Sequence, residues 1–248
     1  MAGESGFQQS RQDAAAQYHD TMWRFCSEQV HALVGAVVGR GDEVLDVACG
    51  TGFAALSALP IVGDTGRVVG TDINPAMLAM ARTVPGADSI EWMEASVLDL
   101  PFDDHDFDAV VCAQSAQFFP DVPAGLREVA RVTRPGGRLG LTVWTQRTDS
   151  PFLDAQMEML TEFCGIDPAV PDGAFINDEH QVRQWFHDAE LADVDVRVLH
   201  AEPVLPPARE FSLTHLNALP WSKPFFDLAP DTQRAAIDYV DQRLAQYR

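Results

Sequence analysis

Asp46-Val47-Ala48-Cys49-Gly50-Thr51-Gly52-Phe53-Ala54 is the stretch on which the fold of this chain turns. It grows out of an apolar run, EVLDVAC (43–49), and leads into a helical pattern, the arrangement of a strand, a tight loop and a helix. Gly50 and Gly52 permit the turn and let a ligand at the strand ends approach the backbone closely. Asp72 closes the next apolar run, twenty residues beyond Gly52. A carboxylate there can accept both hydroxyls of a ribose. Gly50 to Ala55 also satisfies the relaxed G-x-G-x-x-A form of a dinucleotide site. Asp46, four positions before the first glycine, argues against a dinucleotide, because a carboxylate repels a pyrophosphate and attracts an α-amino group. The pattern favours a ligand carrying a ribose and an amino acid.

Outward from this loop the chain alternates. RVVGTDI (67–73), SIEWMEA (89–95), FDAVVCA (107–113) and RLGLTVW (138–144) read as strands. PAMLAMARTV (75–84) and the amphipathic VPAGLREVARVTR (122–134) read as helices, the second stopped by Pro135-Gly136-Gly137. Short apolar strands alternating with helices specify an α/β fold: a Rossmann-like, doubly wound, mostly parallel sheet. Residues 8–39 read as one helix, with Trp23, Val30, Leu33, Val34 and Val37 at near-helical spacing. Beyond Trp144 the spacing predicts helices at 150–165 and 178–191, a strand at 194–204, and a helical tail from Pro206 to Arg248. The chain is expected to form a single domain, 1–248, with an N-terminal helical lid (1–39), a cofactor-binding core (40–145) and helical cap elements with the remaining sheet (146–248).

Composition narrows the function. The 248 residues carry 37 Asp+Glu against 17 Lys+Arg, a net charge of −20. Such a chain is a poor partner for nucleic acid or an anionic membrane. No run approaches the roughly 18 apolar residues of a membrane span, and the N-terminus has no secretory pattern, so a cytoplasmic protein is expected. Lys223 is the one lysine, beside 16 Arg. An Asp-rich, Lys-poor surface suits concentrated salt, where screening mutes self-repulsion; a GC-rich genome produces the same bias. Cys26, Cys49, Cys112 and Cys164 are scattered, without the spacing of a metal site or a disulfide framework.

Five segments in order resemble the class I S-adenosylmethionine-dependent methyltransferases, especially the ubiquinone-biosynthesis-like small-molecule group. They are VLDVACGTG (44–52), VVGTDINPAML (68–78), LDLPFDDHDFDAVVC (98–112), FFPD (118–121) and REVARVTRPGGRL (127–139). The resemblance implies S-adenosylmethionine as cofactor. It would place Asp46, with backbone at Ala48, Gly50 and Gly52, at the methionyl end, Asp72 on the ribose, and Ile73 and Met77 against the adenine. Where the family often has Asp-Ala at the adenine edge, this chain has Ser96 and Val97, a hydroxyl in place of a carboxylate. Gln114 would line the methionyl end beside the acceptor. The resembled sheet also carries a sixth strand, here 194–204, and a seventh inserted antiparallel beside it. The helical tail predicts that the seventh is missing or replaced by a less regular segment.

A sulfonium methyl is already activated, so methyl transfer needs alignment and dryness before it needs a base. No metal and no catalytic diad are expected. The resemblance makes the N-terminal helix a lid over the cofactor, which brings Tyr18 toward the substrate and makes His19 the candidate base. Gln117 and Phe118 fall on the acceptor side. Trp144, Phe152, Trp221, Phe225 and Phe226 suit an apolar or aromatic small-molecule acceptor. His105 reads as a solvated turn, His31 as an ordinary helix residue, and His180, His187, His200 and His215 as cap or surface residues. An NAD(P)-dependent oxidoreductase and a non-catalytic S-adenosylmethionine-binding protein remain as alternatives.

Overall fold

A computed structural model describes residues 12–172, 175–176, 178–202, 204, 206–219 and 222–247. The strands are β1 (Glu43–Val47), β2 (Arg67–Asp72), β3 (Glu91–Glu94), β4 (Phe107–Ala113) and β5 (Thr133–Thr142). The helices are α1 (Gln12–Val37), α2 (Phe53–Val62), α3 (Pro75–Ala81), α4 (Val122–Val132), α5 (Pro151–Cys164), α6 (Ala169–Asp172), α7 (Glu179–Asp188), α8 (Ala208–Ala218), α9 (Lys223–Phe226) and α10 (Pro230–Arg243). The five strands form one sheet in the order β3-β2-β1-β4-β5, every pairing parallel. The order reverses between β1 and β4. Loops leaving adjacent strands there diverge to opposite faces and open a crevice at the C-terminal strand ends.

The central strands are apolar on both faces, as a sheet covered on both sides requires. Val44, Leu45 and Val47 of β1 and Ala109, Val110 and Val111 of β4 are buried. Helix α1 lays Met22, Phe25, Cys26, Val30, Leu33, Val34 and Val37 against the core, one stripe at helical spacing. It can lie close to β5 because position 140 is glycine: a Cβ there would stand 2.4 Å from Val37 Cγ2 and 2.7 Å from Leu33 Cδ1. Three cap residues begin helices as their chemistry suggests. The side chains of Asn74, Asp121 and Ser150 accept backbone N–H groups of α3, α4 and α5.

Two expectations are corrected. Pro135-Gly136-Gly137 does not separate a helix from a strand beginning at 138; it lies inside β5, which starts at Thr133 directly after α4. Phe107 pairs with Thr133, whereas Ala109 pairs with Arg138, so the intervening residues form a bulge with Gly136 at φ +79°. A bulge on an outer strand is where a proline costs no ladder hydrogen bond. The second correction is the strand at 194–204: residues 191–202 form none. The alternation of Val194, Val196 and Val198 allows a strand but cannot supply a partner for it. Arg183 Nη1 donates instead to Val194 O at 2.9 Å, and Arg197 turns onto Asp195. The tail is helical, in α8, α9, α10 and a final 3-10 turn, Ala245–Tyr247. Among the described residues no strand pairs with the outer edge of β5.

Candidate active site

The loop after β1 is held by its neighbours. Cys49 N donates to Thr71 O at 2.9 Å, and Gly52 N reaches back to Cys49 O at 2.9 Å. Ala48 and Gln114, which follow adjacent strands β1 and β4, both adopt positive φ, +53° and +57°. Non-glycine residues rarely do so, and the strain concentrates at ligand sites. Ser115 Oγ lies 3.0 Å from both Ala48 O and Ala113 O, which ties the two loops together. Gly52 caps α2 at φ +86°, and a Cβ there would stand 2.4 Å from Trp92 Cη2. Its role is to admit the Trp92 indole. Beside Gly50 a Cβ would meet nothing within 4 Å, so open space adjoins the loop there.

A cavity opens at this switch point. Its walls include Ala48 and Gly50 from the β1 loop, and Asp72, Ile73 and Met77 from the end of β2 and from α3. Ser96, Val97 and Gln114 complete the set of predicted cofactor residues on it. Tyr18, Phe118 and Trp144 also line it, as do Met22, Asn74, Ser115, Phe119, Leu153, Met157, Phe175, His215 and Leu219. The predicted residues Asp46 and Gly52 stand behind the loop, off the wall. Gln117 is also off the wall and holds the loop from outside, Nε2 donating to Gln114 O at 3.2 Å. Trp221 lies outside the described residues. Of the other aromatics proposed for the pocket, Phe152 and Phe225 are buried in the core and Phe226 is exposed.

His19 is not brought into this cavity. It lines a separate groove with Trp23, Leu56 and Leu59, its ring 5.0 Å from that of Phe53. His215 moves the other way. Expected at the surface or in the cap, it is buried in the cavity wall, and nothing local in SLTHLNA (212–218) distinguishes it from a solvated helix residue.

Electrostatically the site is one-sided. Asp72 accepts backbone N–H groups from Gly50 at 2.7 Å and Asn74 at 2.8 Å. Burial raises its pKa, against the pull of those two bonds. A carboxylate has about four acceptor positions, so two remain for ligand hydroxyls. Asp46 is 1% exposed; its Oδ2 accepts Ala55 N–H in the first turn of α2 at 2.9 Å, and its Oδ1 is buried without a hydrogen-bond partner. Burial, with the charge of Asp72 added, pushes its pKa from 3.8 to about 8, despite the Ala55 bond. Gln114 Oε1 is a further buried acceptor with no donor. Among the described residues no lysine or arginine lines the cavity. Burial, with smaller contributions from Cys26 and Asp72, raises the Tyr18 phenol and keeps it protonated.

A family model described as a methyltransferase domain matches residues 45–141, the span from β1 to β5 that carries these loops. A 2-phytyl-1,4-naphthoquinone methyltransferase of Synechococcus elongatus is 39% identical over 105 residues, 41% of this chain and 45% of that protein. The chain spans about half the length, 45–50%, of the curated relatives it matches. Among solved structures, the YcgJ protein of Bacillus subtilis superposes with TM-score 0.56 at 20% identity, over 86% of this chain and 83% of that one. The [4+2]-cyclase SpnF superposes with TM-score 0.57 at 20% identity, over 91% and 76%. These two likenesses establish the fold. A cyclase on the same fold shows that the reaction has to be argued from the site.

Proposed function

We propose that this chain transfers the methyl group of S-adenosylmethionine to oxygen, nitrogen or carbon of a small apolar or aromatic molecule. The carrying observation is the cavity at the switch point, with two buried carboxyl groups at or behind its wall and, among the described residues, no lysine or arginine on it. A ligand bearing an ammonium and a sulfonium favours the ionised form of both carboxyls and gains from their charge, whereas a pyrophosphate cannot, which counts against the NAD(P) reading. The residues present fit the cofactor. Asp72 has free acceptor positions for ribose hydroxyls, Gln114 Oε1 is an acceptor awaiting a donor such as the ammonium, and Ile73 and Met77 offer apolar cover for the adenine. Ser96 supplies a hydroxyl at the adenine edge.

When bound, S-adenosylmethionine supplies an activated methyl group. The chain aligns the acceptor and excludes water. Tyr18 and Met22 close one side from α1, and Trp144, Leu153, Met157, Phe175 and Leu219 form the apolar part of the wall. An aromatic ring of the naphthoquinone kind, named for the Synechococcus relative, suits that wall. No helix among the described residues is long and apolar enough to cross a membrane. The cytoplasm as compartment, and a small molecule instead of nucleic acid as partner, rest on the net charge of −20 and the scattered cysteines. Calorimetry with S-adenosylhomocysteine and with NADH tests the reading. Micromolar binding of the first and none of the second is expected; the reverse would overturn it.

A further inference from the structure

Among the described residues the cap end of the cavity contains one basic side chain, His215, and its hydrogen bonds fix which nitrogen is free. His215, on α8, lies against Phe152 and parallel to Phe211, with ring centroids 5.6 and 6.1 Å away. Its Nδ1 is hydrogen-bonded to Gln156 Oε1, from α5. The orientation of the Gln156 amide is set independently, because Nε2 donates to Ser212 O at 3.2 Å. The atom facing the imidazole is therefore the carbonyl oxygen, which can only accept. Nδ1 must carry the proton, and in a neutral ring that leaves the lone pair on Nε2. Both residues are buried, and of the pair only His215 lines the cavity.

We propose that His215 Nε2 accepts the hydrogen bond of a hydroxyl on an aromatic acceptor and takes its proton during methyl transfer, so that the product is an O-methyl ether. The inference rests on the methyltransferase reading and narrows it to oxygen. In the step, the oxygen lone pair forms the bond to the methyl carbon while the carbon–sulfur bond breaks and its electron pair stays on sulfur. The hydroxyl proton passes to Nε2. The positive charge that began on the sulfonium ends on the imidazolium, which releases its proton to solvent afterwards.

Burial lowers the pKa of His215 from 6.5 to about 4, with no charged group contributing. Among the described residues the other titratable side chains on the cavity wall are Tyr18, whose phenol stays protonated, and Asp72. The ring is thus unprotonated at any pH where the enzyme would work. A base this weak does not ionise a free phenol. It does suffice once the oxygen has begun to bond carbon, because the proton is then that of an oxonium, a far stronger acid than the imidazolium. Gln156 acts through His215 as a positioning residue.

Three readouts on the full chain test this. Nitrogen-15 NMR should show His215 neutral through pH 5, with the proton on Nδ1. With S-adenosylhomocysteine present, 2-naphthol should bind about fivefold more tightly than naphthalene, the scale of one hydrogen bond. His215→Phe should abolish that preference while keeping S-adenosylhomocysteine affinity within about threefold, the scale of a change that leaves the cofactor's own contacts intact. A proton on Nε2, no preference in the wild type, or a preference that survives in His215→Phe each overturns the base. Should His215→Phe fail to fold, His215→Gln serves in its place, and the NMR and wild-type binding results decide without either variant. Failure of the wild type to bind S-adenosylhomocysteine overturns the methyltransferase reading itself, a separate outcome.

Discussion

Asp46→Asn should make the ligand-free protein more stable at neutral pH and leave it nearly unchanged in acid. The carboxyl is buried, shares its surroundings with Asp72, and has its pKa raised from 3.8 to about 8. A raised carboxyl pKa means that the folded state holds the proton more tightly than the unfolded chain. Its penalty is absent below pH 3.8, grows as pH rises, and levels off above about 8. At about 1.36 kcal/mol per unit, the three units between 3.8 and pH 7 amount to about 4 kcal/mol as an upper bound. Asn keeps an oxygen for Ala55 N–H and carries no charge. Urea melts at pH 4.5 and 7.5 would measure the difference. A gain of about 1 kcal/mol at the lower pH and about 3–4 at the higher is expected. A gain that does not change with pH, or a loss at pH 7.5, would refute the reasoning. S-adenosylhomocysteine should bind the variant more weakly, because the ammonium of the ligand favours ionised Asp46 and Asn cannot ionise; no contact is lost, since Asp46 is off the cavity wall.

Asp72→Ala should weaken S-adenosylhomocysteine binding by about 1.5–3 kcal/mol, the scale of hydrogen bonds to a charged group; unchanged calorimetric affinity would remove Asp72 from the ribose. Gly52→Ala forces a Cβ to 2.4 Å from the Trp92 ring at φ +86°, and a loss of about 2–4 kcal/mol in thermal or urea melts is expected. Stability should rise in NaCl more than in isosmotic sucrose, because a net charge of −20 repels itself over a Debye length that shrinks from about 10 to about 3 Å between 0.1 and 1 M salt. An equal rise in both would assign the effect to solvent exclusion. Acid should also destabilise the protein through His215. Its pKa is lowered from 6.5 to about 4, so the unfolded chain binds the proton first and stability falls as pH drops through that window. His215→Phe should flatten that part of the pH–stability curve.

The geometry of the glycine-loop end of the cavity was legible in the sequence because it is local. Gly50, Gly52 and Asp72 are dictated by one strand–loop–helix turn and one strand end, and short spacings fix where they lie. The central strands were legible for the same reason: β4 needs no information beyond FDAVVCA between two breaks. The misread segments depend on partners. Pro135-Gly136-Gly137 is a stop signal in isolation, but it becomes a bulge when Arg138 must align with Ala109 of β4. Residues 194–204 have strand alternation, yet pairing is a property of two edges, and Arg183 occupies the Val194 carbonyl. The direction of Asp46 was not legible: it accepts Ala55 N–H in the first turn of α2, which turns it behind the loop.

His215 shows the limit more sharply. Its partner Gln156 lies 59 residues away, and the Ser212 carbonyl that orients Gln156 is 56 residues from it. Neither separation has a period or motif that reading along the chain could detect. The difference follows from how the two ends of the cavity are built. The cofactor end uses backbone groups and strand termini, which the sheet places whatever the cap does. The acceptor end uses side chains of α5 and α8, which depend on how those helices pack on α1. A change in the cap can therefore alter the acceptor, or even the reaction, while the cofactor end stays intact. The same fold around a [4+2]-cyclase at 20% identity is what that separation allows. On the proposed function, the choice among oxygen, nitrogen and carbon is therefore to be sought at His215 and not in the glycine loop.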